Sequence, residues 1–166
     1  MKIKKMIITA LFSALTLIAT LVITIPSSTG YIHMGDALVL LSAYFLGPIN
    51  GAVAAGLGSA LADIISGYTI FAVPTLIIKA IVAFVAGYLY SKAKTQSFWK
   101  LLVFGVIGEI FMVIGYFIVE IILSGSVATA AVGIYGSMVQ SIFGIIVSTI
   151  LYNALKSNSV IKKHLQ

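Results

Sequence analysis

The sequence predicts an all-α membrane protein folded as a six-helix transmembrane bundle. Of its 166 residues, 61% are hydrophobic and 8% are charged, and the mean hydropathy is +1.18. A soluble domain of this length needs a polar surface that this composition does not supply. Long apolar runs recur along the whole chain, and lysines cluster between them. We therefore expect a single integral membrane domain over residues 1–166.

The positive charge is concentrated in three places. The formal net charge is +6, and nine of the ten basic residues lie at the two ends or in one internal hydrophilic break. This distribution is typical of membrane topology and contact with anionic lipid, so we expect no nucleic-acid partner. These residues are Lys2, Lys4, Lys5, Lys92, Lys94, Lys100, Lys156, Lys162 and Lys163.

The first apolar run extends from Met6 to Ile25 behind a lysine-rich start, as in a secretory signal peptide. Signal peptides have an apolar core of about 7–15 residues, whereas this run reaches about 20. We therefore expect a retained first span over about residues 6–25.

The second and third spans are predicted to form a tight hairpin. After the polar loop Ser27–Gly35, a short apolar run stops at Gly47-Pro48, and a segment rich in glycine and alanine follows. We place these spans at about residues 36–47 and 49–66. The small residues of the third span favour close packing between helices.

Three further spans are predicted at about residues 70–90, 100–123 and 127–155. The break Ser91–Lys100 separates the first two, and Ser124–Ser126 separates the last two. If the lysine-containing break is cytoplasmic, an even number of spans places both ends of the chain on the cytoplasmic side.

Few ionisable residues fall inside these spans, and each is a candidate for function. Lys79 lies roughly 13 Å along the fourth span and needs a partner, which we expect to be Glu109, Glu120 or a ligand. A purely structural Lys79–Glu109 ion pair is an equally good interpretation. Asp36 opens the second span, where capping and the helix dipole explain an acid.

A polar amide lies deep in the predicted sixth span, roughly 20 Å from its outer end, and several aromatic residues lie in the outer half of the bundle. Gln140 follows Ser137 by one turn in the sixth span, and a buried amide needs a partner. Each aromatic residue alone is typical of an interfacial belt. Together with Lys79 and Glu120, they are typical of an outward-opening pocket for a small aromatic ligand. The aromatic residues are Tyr31, Tyr68, Phe71, Tyr116, Phe117 and Tyr135.

Three segments carry a resemblance to a known family. The loop Gly30–Asp36 and the run from Phe45-Leu46-Gly47-Pro48 to Asp63 resemble the substrate-binding S-components of energy-coupling factor (ECF) vitamin transporters. In the first span, Ala10-Leu11-Phe12-Ser13-Ala14 looks like the AxxxA surface that docks on the shared T-component. The resemblance covers essentially the whole chain and implies Ala10 and Ala14 as docking residues.

Within that family, three segments look most like the branch that takes up pyridoxine-type vitamins or hydroxymethylpyrimidine. They are Pro74–Lys79, Gly115-Tyr116-Phe117 with Glu120, and Gln140. That branch often has Asn three positions before the Gln, where this sequence has Ser137. The implied substrate-binding residues are Tyr31, His33, Tyr68, Phe71, Thr75, Lys79, Tyr116, Glu120, Tyr135, Ser137 and Gln140.

The resemblance implies an importer subunit in the bacterial plasma membrane. Two loops, at Ser27–Gly35 and Gly67–Thr69, would close over the vitamin, and the loaded subunit would topple while bound to a T-component driven by two ATPases. The vitamin is expected to be a B6 vitamer or hydroxymethylpyrimidine, with riboflavin, thiamine or pantothenate as alternatives. No cofactor is expected.

Other classes of function lack their usual residues in this sequence. With no cysteine, thiolate metal sites and cysteine nucleophiles are excluded. The sequence has no HExxH, GxSxG or Walker-type loop, which argues against an intramembrane enzyme and against ATP hydrolysis by this chain. His33 and Asp36 alone are weak evidence for a metal. A passive channel or packing subunit gives no reason for the deep Lys79.

Overall fold

The computed structural model describes residues 2–22, 24–27, 30–93, 95 and 97–157. Within them it has five helices and two short strands, and all five helices are long and apolar enough to cross a membrane. The predicted helical membrane protein is confirmed at this level. The elements are α1 Lys2–Val22, β1 Thr24–Ser27, β2 Gly30–His33, α2 Gly35–Ile65, α3 Thr69–Lys92, α4 Phe98–Ser124 and α5 Val127–Leu155.

The predicted second and third spans belong to one sharply bent helix, α2. The bend is at Gly47, whose φ of 78° and ψ of −176° are not helical, and Pro48 follows without a backbone N–H to donate. Ser42 Oγ lies 3.3 Å from Gly51 O, whereas nine residues of straight helix rise about 13.5 Å. The two halves of α2 therefore fold against each other at the glycine.

The expected topology needs correction for the same reason. We expected six separate helices, but the described residues form five. An arrangement with both ends on the cytoplasmic side rested on an even number of spans, and five helices do not support it. Of the lysines used to orient the bundle, Lys94, Lys162 and Lys163 lie outside the described residues.

The predicted polar loop before the second span is an antiparallel β-hairpin. Thr24 pairs with His33 and Ser27 pairs with Gly30. The first helix ends at Val22, so residues 24 and 25 belong to β1 instead of the first span. Strand β2 contacts α1 and α5 and leads directly into α2.

Glycines in α2 bring three helices into backbone contact. A Cβ added to Gly58 would lie 2.4 Å from the carbonyl oxygen of Ser13 in α1. One added to Gly56 would lie 2.8 Å from the carbonyl oxygen of Leu76 in α3. The packing role predicted for the small residues is therefore confirmed, and α2 occupies the centre of the bundle.

The two ends of the bundle differ in their side chains. The lysine end is where α3 finishes at Lys92 and α4 begins at Phe98. There, Tyr44, Tyr90 and Tyr152 pack together, and the Tyr44 hydroxyl donates to Leu101 O at 2.8 Å. The opposite end, called the loop end, carries the turns from α2 to α3 and from α4 to α5.

Candidate functional site

A buried ion pair lies at the centre of the candidate site. The ammonium of Lys79 in α3 bonds to Oδ1 of Asp36 in the first turn of α2, and the two side chains are 0% and 1% exposed. Asp36 therefore replaces Glu109 and Glu120, the acidic partners that we expected for Lys79, whereas the alternative that Lys79 pairs with a ligand stays a prediction. The interpretation of Asp36 as a helix cap is also wrong, because its carboxylate bonds to side chains of other helices.

Gln140 of α5 joins the ion pair to the β-hairpin. Its Nε2 donates to the second carboxylate oxygen of Asp36 at 2.5 Å, and its Oε1 accepts from the backbone N–H of His33 at 3.0 Å. The partner expected for this buried amide is thus Asp36 and the hairpin. Both Asp36 oxygens and both Gln140 polar atoms are used within the protein.

His33 is held as a neutral imidazole at the end of β2. Its Nδ1 accepts from the backbone N–H of Gly35 at 3.1 Å, which leaves the ring proton on Nε2. The pKa of His33 is lowered from 6.5 to about 4, chiefly by burial and also by the charge of Lys79, while the charge of Asp36 opposes the shift. His33 therefore adds no positive charge to the site at neutral pH.

A second set of contacts extends the site toward the loop end. Lys79 Nζ donates to Met112 Sδ at 2.8 Å and lies 5.4 Å from the centroid of the Tyr116 ring, a cation–π distance. The Tyr116 hydroxyl lies 3.0 Å from Thr75 Oγ1. The structure therefore brings Thr75 and Tyr116 together beside Lys79, as the predicted site requires.

Glu109 lies about one turn before Met112 in α4, nearer the lysine end. It is 2% exposed, and its Oε2 accepts from Ser141 Oγ at 3.1 Å. Its Oε1 has no hydrogen-bond partner within the described part of the chain. We call His33, Asp36, Lys79, Glu109 and Gln140 the central polar cluster.

The remaining predicted site residues fall into two groups according to their position relative to the central polar cluster. The side chain of Glu120 lies between α4 and α5, where a Cβ added to Gly133 would be 2.0 Å from Glu120 Oε2. Phe71, in the first turn of α3, and Ser137, in α5, are half-buried. These three residues lie toward the loop end of the central polar cluster.

Two predicted aromatic residues with described side chains are not part of this arrangement. Tyr135 is 75% exposed and Tyr68 is 36% exposed, so neither is buried with Lys79. The side chain of Tyr31 lies outside the described part of the structure. Among the predicted aromatic residues whose side chains the structure describes, only Tyr116 contributes its ring to the central polar cluster.

Asp36 is the functional candidate that our sequence reasoning missed, although a signal was present. The run from Asp36 to Gly47 rises only about 16 Å as a helix, roughly half of the hydrocarbon thickness of about 30 Å. With Gly47 at the lysine end beside Gly87, Asp36 has to lie well inside the bundle. An acid at that depth needs a cation, and Lys79 is the unmatched one.

The predicted docking residues lie on a separate surface. Ala10 and Ala14 are exposed on α1 and line a groove of about 690 Å³ between α1 and the second half of α2. Leu57 and Leu61 of α2 line its other side, and Lys5 lies at its α1 edge. This groove is apolar and distinct from the central polar cluster.

These features define a multi-pass membrane protein with a buried polar site and an apolar surface groove. A family model described as "ECF-type riboflavin transporter, S component" matches residues 1–157, so the chain belongs to this family. It is therefore a substrate-binding subunit of an ECF transporter, and not an enzyme. Its family implies a small-molecule substrate and T-component and ATPase partners within a membrane.

The chain is also similar to a protein of an archaeon. It is a protein from Pyrococcus woesei whose name is "Uncharacterized protein in gap 3'region". This relative is 41% identical over 125 residues, which cover 75% of this chain and 82% of the relative. Because it carries no named activity, the relative adds no information on the substrate.

Proposed function

We propose that this chain captures a planar, water-soluble B vitamin beside the central polar cluster, on the loop-end side of Lys79. The observation that carries the proposal is the buried Asp36–Lys79–Gln140 network, which is continuous with Tyr116. The ammonium of Lys79 has a third N–H beyond those that it donates to Asp36 and Met112, and the Tyr116 ring supplies a stacking face. In an apolar helix bundle that binds no polar ligand, burying these groups contributes little to stability.

Riboflavin is the first candidate substrate, because it is the substrate printed in the family's description. A B6 vitamer or hydroxymethylpyrimidine is the second candidate. The observation favouring it is that Lys79 and Gln140, which carry the resemblance to that branch, both bond to Asp36 in the middle of the bundle. Thiamine and pantothenate remain in the test panel as less favoured alternatives.

The proposed transport cycle uses the hairpin and the groove. The hairpin β1–β2, tied to α5 through His33 and Gln140, would open to admit the vitamin from outside the cell and close over it. A T-component would dock at the groove beside Ala10 and Ala14, and two ATPases would drive the toppling of the loaded subunit. The host membrane is proposed to be a bacterial plasma membrane.

A binding assay tests the proposed site. Purified protein should bind one vitamin of the panel tightly without ATP, and Lys79→Ala and Glu120→Gln should each weaken that binding by more than about tenfold. The panel is riboflavin, pyridoxine, pyridoxal, hydroxymethylpyrimidine, thiamine and pantothenate, measured by calorimetry. Lys92→Ala is the matched control, because Lys92 lies in the same helix but is exposed at the lysine end.

Two outcomes count against the proposal. Removing Lys79 leaves Asp36 buried without its cation, so thermal unfolding of each variant must be measured to separate loss of the site from loss of the fold. Unchanged affinity in both folded variants would remove this site. If no vitamin of the panel binds to the folded wild-type protein, the proposed substrate class is wrong.

A further inference from the structure

The charge of the central polar cluster limits the ligands that it accepts. Lys79 is the one cation among the cluster's residues, and its ammonium already bonds to Asp36 and Met112. Glu109 adds a second carboxyl group to the cluster. His33 adds no positive charge, since its Nδ1 accepts a hydrogen bond from Gly35. The cluster therefore has no excess positive charge to offer.

An anionic ligand would be poorly compensated in this environment. A carboxylate or phosphate moved out of water needs a cation and hydrogen-bond donors in its new site. Here, the ammonium of Lys79 and the amide of Gln140 both donate to Asp36, so neither is left to compensate a second negative charge. A neutral or cationic ligand meets no such penalty.

We infer that this subunit selects vitamins without negative charge, and that Asp36 sets this selectivity by neutralising Lys79. The inference rests on the proposed function and narrows its substrate class. It admits neutral riboflavin, pyridoxine and hydroxymethylpyrimidine and cationic thiamine. It excludes pantothenate and phosphorylated vitamins from tight binding. Without the Asp36 carboxylate, Lys79 becomes a free cation that favours anionic ligands.

Matched pairs of ligands test this inference in the full-length purified protein. The pairs are pyridoxine and 4-pyridoxate, panthenol and pantothenate, riboflavin and riboflavin 5′-phosphate, and thiamine and thiamine monophosphate. In the wild type, the uncharged or cationic member of any pair that binds should bind at least about tenfold more tightly. In Asp36→Asn, that ratio should fall by at least about tenfold, because Lys79 loses its counter-charge.

A double variant distinguishes charge from shape. Asp36→Asn combined with Lys79→Gln removes both charges, so it should restore discrimination against the anionic member that the single variant loses. This variant also keeps the inference testable if Asp36→Asn alone fails to fold. If the anionic member of a pair binds the wild type as tightly as the other member does, the inferred selectivity is wrong but the proposed function stands. The same conclusion follows if the ratio of the two affinities is equal in the wild type and in Asp36→Asn. If no member of any pair binds to the protein, the proposed function itself is wrong.

Discussion

At the residue scale, one short segment connects the hairpin, the ion pair and three helices. The backbone of His33 is bonded to Gln140, its ring to Gly35, and the next residue, Asp36, to Lys79. Gly35 has no room for a side chain, since a Cβ there would lie 2.1 Å from Thr20 Oγ1 of α1. Opening of the hairpin therefore breaks several buried contacts at once, including the one that keeps His33 neutral.

Acid should loosen this segment. The pKa of His33 is lowered from 6.5 to about 4 when the hairpin is closed, so the closed form binds fewer protons than the open form between these values. Stability of the closed hairpin is then complete above pH 6.5 and is lost as the pH falls toward about 4. At pH 5, the free energy of opening should be lower by about 2 kcal/mol than at pH 7.5.

Hydrogen exchange of residues 30–36, measured by mass spectrometry in lipid nanodiscs at pH 5 and pH 7.5, provides the check. His33→Asn is the control, because Asn Oδ1 can accept from the Gly35 N–H without titrating in this range. The ratio of protection from exchange in the wild type to protection in His33→Asn should be lower at pH 5 than at pH 7.5. Asp36 and Lys79 face His33 in both proteins, so equal ratios at the two pH values would show that His33 is not the titrating group.

At the element scale, apolar runs predicted four of the helices closely, and the second run was the exception. The Gly47-Pro48 pair correctly indicated a sharp change of direction, but hydropathy does not distinguish a bend within one helix from a loop between two. The sequence predicts a loop where the structure has the hairpin β1–β2, because its short strands lack the alternation of a half-buried strand. The sequence does not identify the partner of Lys79, because Asp36 opens a predicted span, where capping and the helix dipole are enough to explain an acid.

The bend in α2 should depend on glycine at position 47. With φ 78° and ψ −176°, Gly47 occupies a region that is nearly restricted to glycine, while an added Cβ would meet no atom within 4 Å. Gly47→Ala should therefore lower the free energy of unfolding by about 1–3 kcal/mol through backbone strain alone. Thermal unfolding in detergent measures the change.

Gly125→Ala is the matched control for this prediction. Gly125 also has a positive φ and open space around it, but its φ of 68° and ψ of 10° lie in the left-handed region that other residues occasionally adopt. Gly125→Ala should lower the free energy of unfolding by about 1 kcal/mol, which is less than the effect of Gly47→Ala. Equal destabilisation by the two variants would mean that the bend does not require the special conformation of Gly47.

At the scale of the whole molecule, the proposed ligand site and the proposed partner surface are separate but share helix α2. Its first turn carries Asp36 of the central polar cluster, and its second half carries Leu57 of the groove. The bend at Gly47 connects these two parts. A rigid shift of α2 would therefore change both surfaces, which gives a physical route between vitamin binding and partner docking.

The groove should matter for uptake and not for binding. Ala14 lines the groove, so Ala14→Trp would place a bulky ring where a T-component helix has to approach closely. We expect uptake by cells carrying the whole transporter to fall at least about tenfold, with the vitamin affinity of the purified subunit unchanged within about twofold. Leu11→Trp is the control, because Leu11 is exposed on the same helix but outside the groove. Normal uptake with Ala14→Trp would place the docking surface elsewhere, whereas equal loss with Leu11→Trp would point to a general defect of α1.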